Sequence, residues 1–200
     1  HQVRVWDSIA AGKEPPIRVA VNLSPAQLTD EGLVELVRST LLEEGVPAER
    51  LIFEITETVM MQTSIRKLKE LKELGVLLAI DDFGTGYSSL SYLDRLPVDI
   101  VKVDKSFTAR LGFANEVPQL VKTVVQLGAA LGLDTIVEGI ESIEQYEQIK
   151  QLGCVHGQGF LFAEPFSAKA IGALLQVEAD GGLVFPVFDR IPPPGHLRVV

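Results

Sequence analysis

The stretch "LLAIDDFGTGYSSLSYL" (residues 77–93) runs from an apolar segment into two adjacent aspartates and then a Gly-Thr-Gly loop. Neighbouring carboxylates repel each other, and burial sharpens the repulsion. A buried strand that ends in Asp81 and Asp82 is therefore expected to hold something positive at its tip. Five other short β-rich segments also carry polar or acidic residues within or at the end of the run: "IRVAVN" (17–22), "LIFEIT" (51–56), "DIVKVD" (99–104), "DTIVEG" (134–139) and "VHGQGFLF" (155–162). The intervals between them read as helices. Residues 25–45 place Leu28, Val34 or Leu36, and Leu41 on one stripe and stop at Gly45. Residues 64–75 repeat Leu68, Leu71 and Leu74 before Gly75, and 117–133 and 142–153 give two more helices closed by glycine.

Strands alternating with helices predict βα units, a parallel sheet and right-handed crossovers. The polar tips favour a barrel over an open sheet, because residues at the C-terminal ends of barrel strands converge on one pocket. A barrel of this kind closes with eight strands. Six are legible, and the chain opens with His1 rather than Met. The expected fold is thus α/β, a modified TIM-type (β/α) barrel missing its first two strands, which would lie upstream in a longer protein. Residues 1–178 are assigned to the barrel. Residues 179–200, with Gly-Gly and a Pro-Pro-Pro run at 192–194, are assigned to a tail or linker.

A chain of 200 residues that is 46% hydrophobic can bury a sizeable core. The net charge of −9 argues against broad contact with a nucleic-acid backbone, so no DNA partner is expected. The most apolar run, around Val124–Leu133, is broken by Gln126, Gly128 and Gly132, which predicts no membrane insertion. The single Cys154 excludes an internal disulfide framework and reads as a small core residue. A cytoplasmic location is expected.

The tips offer oxygen donors: Asn22, Glu54, Asp81, Asp82, Glu138 and Gln158. The three histidines have no metal-binding spacing. Hard oxygen ligands favour Mg²⁺ or Mn²⁺ over Zn²⁺. Paired acids at one strand tip suit two such ions about 3.5–4 Å apart, a device for phosphodiester hydrolysis. Lys102 would stand among them as a fixed positive charge for an attacking water or a phosphate oxygen. Other readings stay open for each residue. Asp81 and Asp82 would also cap a turn, Glu54 would also pair with Lys102 in a structural ion pair, Asn22 would also serve as a turn residue, and Gln158 would also bond backbone. Glu57 is read as a partner of the Gly-Thr-Gly loop. Asp-Phe-Gly at 82–84 is no kinase motif, because the glycine-rich and catalytic loops are absent. Gly-Thr-Gly is no dinucleotide fingerprint.

The segments "VNLSP", "FEITET", "DDFGTGYSSLSYL", "VKVDKSF", "IVEGIES" and "GQGFLF..PF", in this order and spacing, closely resemble the EAL-domain family from about Gln2 to about Leu175. The resemblance implies a modified TIM barrel that hydrolyses the bacterial messenger cyclic di-GMP to linear pGpG with Mg²⁺ or Mn²⁺. It implies Asn22, Glu54, Asp81 and Asp82 as metal ligands, Lys102 as the residue positioning water, and Glu138 as general base or second-metal partner. Gln158, Asp104 and Pro165 fall where the family binds substrate, and Glu57 where it anchors the loop after the aspartates. It further implies a homodimer and sensory or cyclase domains upstream. Two departures stand out. The Glu-Ala-Leu motif would lie upstream of His1, and Glu164 puts an acid before Pro165 where a base is common. The competing reading is a catalytically silent receptor for the same nucleotide, or a protein-interaction module.

Overall fold

The computed structural model describes Trp6 and residues 17–86, 93–109, 111, 119–154, 156–179 and 198–199. Residues 87–92 of the opening stretch and 180–197 of the expected tail lie outside the described residues. Among the described residues seven parallel strands form one sheet in sequence order: β1 Val19–Asn22, β2 Leu51–Thr56, β3 Leu77–Phe83, β4 Ile100–Val103, β5 Asp134–Val137, β6 His156–Gly157 and β7 Arg198–Val199. Between them run α1 Pro25–Thr29, α2 Leu33–Glu44, α3 Glu57–Gln62, α4 Ile65–Lys72, α5 Lys105–Thr108, α6 Gln119–Leu131, α7 Ile143–Gln151 and α8 Ala168–Ala179. Consecutive strands that pair in parallel, with helical connections, make this a (β/α) barrel-type wall.

Three local expectations change. The helix read at 25–45 is two helices. Asp30 leaves α1 in an extended conformation, and its carboxylate accepts the Gly32 N–H at 2.8 Å, which breaks the helical path. The buried stripe of α2 accordingly starts at Leu33 and Val37, and Leu36 is exposed. The strand read at 155–162 is shorter, because the chain turns at Gly159 and Phe162 N donates to Gly159 O at 3.0 Å. Arg198–Val199, read within the tail, pair with His156–Gly157 as β7.

Strand alternation sorts the sheet into two faces. On the outer face Phe53, Ile55, Leu78, Ile80, Val101, Val103 and Val137 pack with helix residues such as Leu68, Leu71, Val121, Val124, Tyr146 and Ile149. On the inner face Ile52, Ala79, Ile100 and Ile136 form a separate apolar cluster, joined by Leu77. Burying each of its isoleucines contributes about 1.5–3 kcal/mol. The foot of the sheet is tied by Asp99, which accepts from Leu78 N at 2.8 Å and pairs with Lys72 Nζ at 2.7 Å.

Candidate active site

The polar residues follow from the apolar cluster by a step of two. Ile52, Ala79, Ile100 and Ile136 are each followed, two residues on, by Glu54, Asp81, Lys102 and Glu138. Because side chains alternate along a strand, an apolar floor at one level dictates a polar layer directly above it on the same inner face. Parallel register brings the layers together: Glu54 pairs with Ala79, Ile100 with Asp134, and Lys102 with Ile136. Asn22 pairs with Glu54 and extends the layer to β1, where it is exposed. Helix α1 starts directly after it, closed by a capping box between Ser24 and Gln27.

Lys102 is the centre of this layer. Its Nζ lies 2.7 Å from Glu54 Oε1, 3.0 Å from Asp81 Oδ1 and 2.7 Å from Glu138 Oε1, and its side chain is 5% exposed. Burial would lower the pKa of this ammonium, but hydrogen bonds to Glu138 and Glu54 outweigh burial and hold it above the ordinary lysine range. Glu138 is shifted upward. Burial dominates, and the charges of Asp81 and Glu54 add to it against the opposing pull of Lys102.

A regular strand would send Asp81 and Asp82 to opposite faces. Here β3 carries an extra residue against β4: Ile80 pairs with Val101 but Phe83 with Val103. Asp82 sits in this bulge at φ 55°, alone among the described non-glycine residues in having a positive φ. The bulge re-aims its side chain. Carboxylate oxygens of Asp81, Asp82 and Glu138 consequently lie within 4.8 Å of one another, a grouping able to hold a metal ion. Burial, and then the charges of Asp81 and Asp104, raise the pKa of Asp82.

The other residues take distinct places. Glu57, at the start of α3, is buried, and its Oε2 accepts the Gly84 N–H at 2.8 Å. A Cβ on Gly86 would collide with the same carboxylate. Asp104 caps α5 by accepting from Ser106 N at 2.9 Å; burial opposes its ionisation, but the donors of Ser106 and Lys105 outweigh it and lower its pKa. Gln158 is exposed, and its backbone bridges Val137 O and Ile140 N at 2.9 and 3.1 Å. Gly159, which sequence reading passed over, packs against the Ile140 main chain with no room for a Cβ. Pro165 is exposed beyond that turn. A cleft of about 800 Å³ opens between α5 and the start of α7, lined by Asp104, Lys105, Ser106, Gly139, Glu141 and Ser142 among others; Glu54, Asp81, Asp82 and Glu138 do not line it.

The donor set fits a divalent cation. It consists of hard oxygens: Glu54, Asp81 and Glu138 share the Lys102 ammonium, and Asp82 lies beside Asp81 and Glu138. Asp81 Oδ1 is buried and close to Lys102 Nζ, yet it lies off the direction that a hydrogen bond needs and has no hydrogen-bond partner. A buried carboxylate oxygen that meets an ammonium by charge alone, without a hydrogen bond, keeps its lone pairs free for a second cation.

Fold and site together define a (β/α) half-barrel with an acidic, lysine-centred layer at the C-terminal strand ends. The EAL domain profile matches residues 2–165, and the chain belongs to that family. It is 39% identical over 174 residues to the bifunctional diguanylate cyclase/cyclic di-GMP phosphodiesterase MucR of Pseudomonas aeruginosa, covering 86% of this chain and 25% of MucR. The MucR phosphodiesterase structure in complex with c-di-GMP superposes with a TM-score of 0.78, covering 85% of this chain and 69% of that one. The EAL domain of Mycobacterium smegmatis DcpA superposes with a TM-score of 0.81 at 37% identity, covering 91% of this chain and 80% of that one. Klebsiella pneumoniae BlrP1 in its manganese/cy-diGMP complex gives 0.69 at 32% identity, covering 82% and 42%. The chain spans about a fifth to a quarter of the length of the curated relatives it matches. Among the described residues no helix is long and apolar enough to cross a membrane.

Proposed function

We propose that this chain carries a phosphodiesterase site that hydrolyses cyclic di-GMP to linear pGpG with Mg²⁺ or Mn²⁺. The observation that carries the reading is the convergence of Glu54, Asp81 and Glu138 on Lys102, with Asp82 turned to the same side by its bulge. MucR and BlrP1, both named for c-di-GMP in their structures, support the substrate class.

In this reading Asn22, Glu54, Asp81 and Asp82 hold the ions. Bound there, divalent ions would neutralise the phosphate and make a coordinated water more acidic. Lys102 is the positive charge on the inner wall, set to hold a water or a phosphate oxygen. Glu138, grouped with Asp81 and Asp82, serves as the general base or as a partner of the second ion. Glu57 fixes the start of the Gly-Thr-Gly loop through Gly84. Gln158, Asp104 and Pro165 border the substrate. Homodimerisation, a cytoplasmic location and sensory or cyclase domains on the same polypeptide belong to this proposal.

The test is incubation of the chain with cyclic di-GMP and Mn²⁺, with products separated by chromatography, beside a Glu138→Gln variant. pGpG should form, and the variant should be slower by about 10²–10⁴-fold, the usual contribution of a general base. Tight nucleotide binding with no turnover by the folded wild type would replace the enzyme by a receptor.

A further inference from the structure

Lys102 stands where a cation would stand. Its ammonium lies at charge-assisted hydrogen-bond distance from Glu54 and Glu138, 2.7 Å in each case, and 3.0 Å from Asp81. Two of these three carboxylates, Asp81 and Glu138, also belong to the grouping with Asp82 that suits a metal ion. The side chain is 5% exposed, so bulk water screens little of this interaction.

We infer that Lys102 is the resident counter-ion of the metal-free layer, and that a divalent ion enters only as its ammonium gives up Asp81 and Glu138. The inference rests on the divalent-cation reading of the layer and adds a competition that this reading does not require. An ammonium packed against a carboxylate oxygen and a divalent ion bound to the same group repel each other strongly at such distances in a poorly solvated site. Without any cation, these clustered, partly buried carboxylates would be left uncompensated. Lys102 therefore holds the empty layer together and weakens the affinity of the filled one.

The experiment is calorimetric titration with Mn²⁺ alone, together with thermal melting in EDTA, for the wild type, Lys102→Met and Lys102→Gln. Both variants should melt below the wild type in EDTA. Both should bind Mn²⁺ about tenfold tighter or more, and gain more in melting temperature when Mn²⁺ is added. A variant that folds only when Mn²⁺ is present supports the exchange of one cation for the other. If the wild type binds Mn²⁺ and the folded variants bind it equally or more weakly, the inference is overturned while the metal site stands. A variant still unfolded at saturating Mn²⁺ overturns it too. If neither the wild type nor the variants bind Mn²⁺, the cation reading falls and takes the inference with it.

Discussion

Asp82 turns its carboxyl to the same side of the sheet as that of its neighbour Asp81, because β3 bulges there and Asp82 adopts φ 55°. Left-handed backbone costs a residue with a Cβ about 1–2 kcal/mol. The site is therefore made at the expense of local stability. Asp82→Gly should raise stability by about 1 kcal/mol, and Asp82→Val should lower it by about 1–2 kcal/mol. Both should weaken Mn²⁺ binding. Urea denaturation and metal titration of the two variants check the opposite signs against the shared loss.

At the other end of the strands, Asp99 accepts from Leu78 N and pairs with Lys72 Nζ, which also donates to Val76 O at 3.1 Å. Asp99→Ala leaves the Leu78 N–H without this acceptor and Lys72 Nζ with Val76 O alone, and should cost about 1–3 kcal/mol. The Mn²⁺ affinity should stay unchanged, since Asp99 precedes β4 and Lys102 lies near its far end. A parallel fall in metal affinity would show that the two ends are coupled.

Two glycines separate steric crowding from backbone strain. Gly159 packs on the Ile140 main chain, which is pinned by bonds from Ile140 N to Gln158 O (3.1 Å) and from Leu161 N to Ile140 O (2.9 Å). Gly45 has φ 60° and open space around it. Gly159→Ala should cost about 3 kcal/mol, the upper end for overpacking, and should lower substrate affinity through Gln158. Gly45→Ala should cost about 1–2 kcal/mol with no effect on the site. Denaturation curves and nucleotide binding for both variants decide this.

Glu138 gives the metal-free protein a defined pH response. Its folded pKa lies above the ordinary 4.5, chiefly through burial. Its contribution to stability is therefore fully present below 4.5 and is lost as pH rises through the folded value. Glu138→Gln, which imitates the protonated carboxyl, should lack this loss. In EDTA the melting temperature of the variant relative to the wild type should climb as pH rises from 4.5. A difference that is flat with pH would contradict the shift.

The alternation of strands and helices was legible because each βα unit keeps its own periodicity, from "LIFEIT" at β2 to the Leu68–Leu71 stripe of α4. The polar candidates were legible because Glu54 and Lys102 interrupt apolar runs. What joins them was not, since the floor residues Ile52, Ala79, Ile100 and Ile136 look like ordinary core until the register shows that they share one face. Counting back two residues from each polar position would have found them. The division of 25–45 at Asp30 was hidden because Leu28 and Leu36 keep helical spacing across a break made by a side-chain bond to Gly32. The bulge at Asp82 left no mark in composition. Its trace is only that two adjacent aspartates cannot both face inward on a regular strand.

The most direct test is the Mn²⁺ dependence of cyclic di-GMP turnover by one preparation of this chain, first stripped with EDTA and then titrated with Mn²⁺. The account predicts negligible hydrolysis in the stripped protein and pGpG formation that rises with metal and saturates. Equal turnover with and without metal, or none at saturating Mn²⁺ in a folded chain that binds the ion, would contradict a metal-dependent phosphodiesterase built on Glu54, Asp81, Asp82, Lys102 and Glu138.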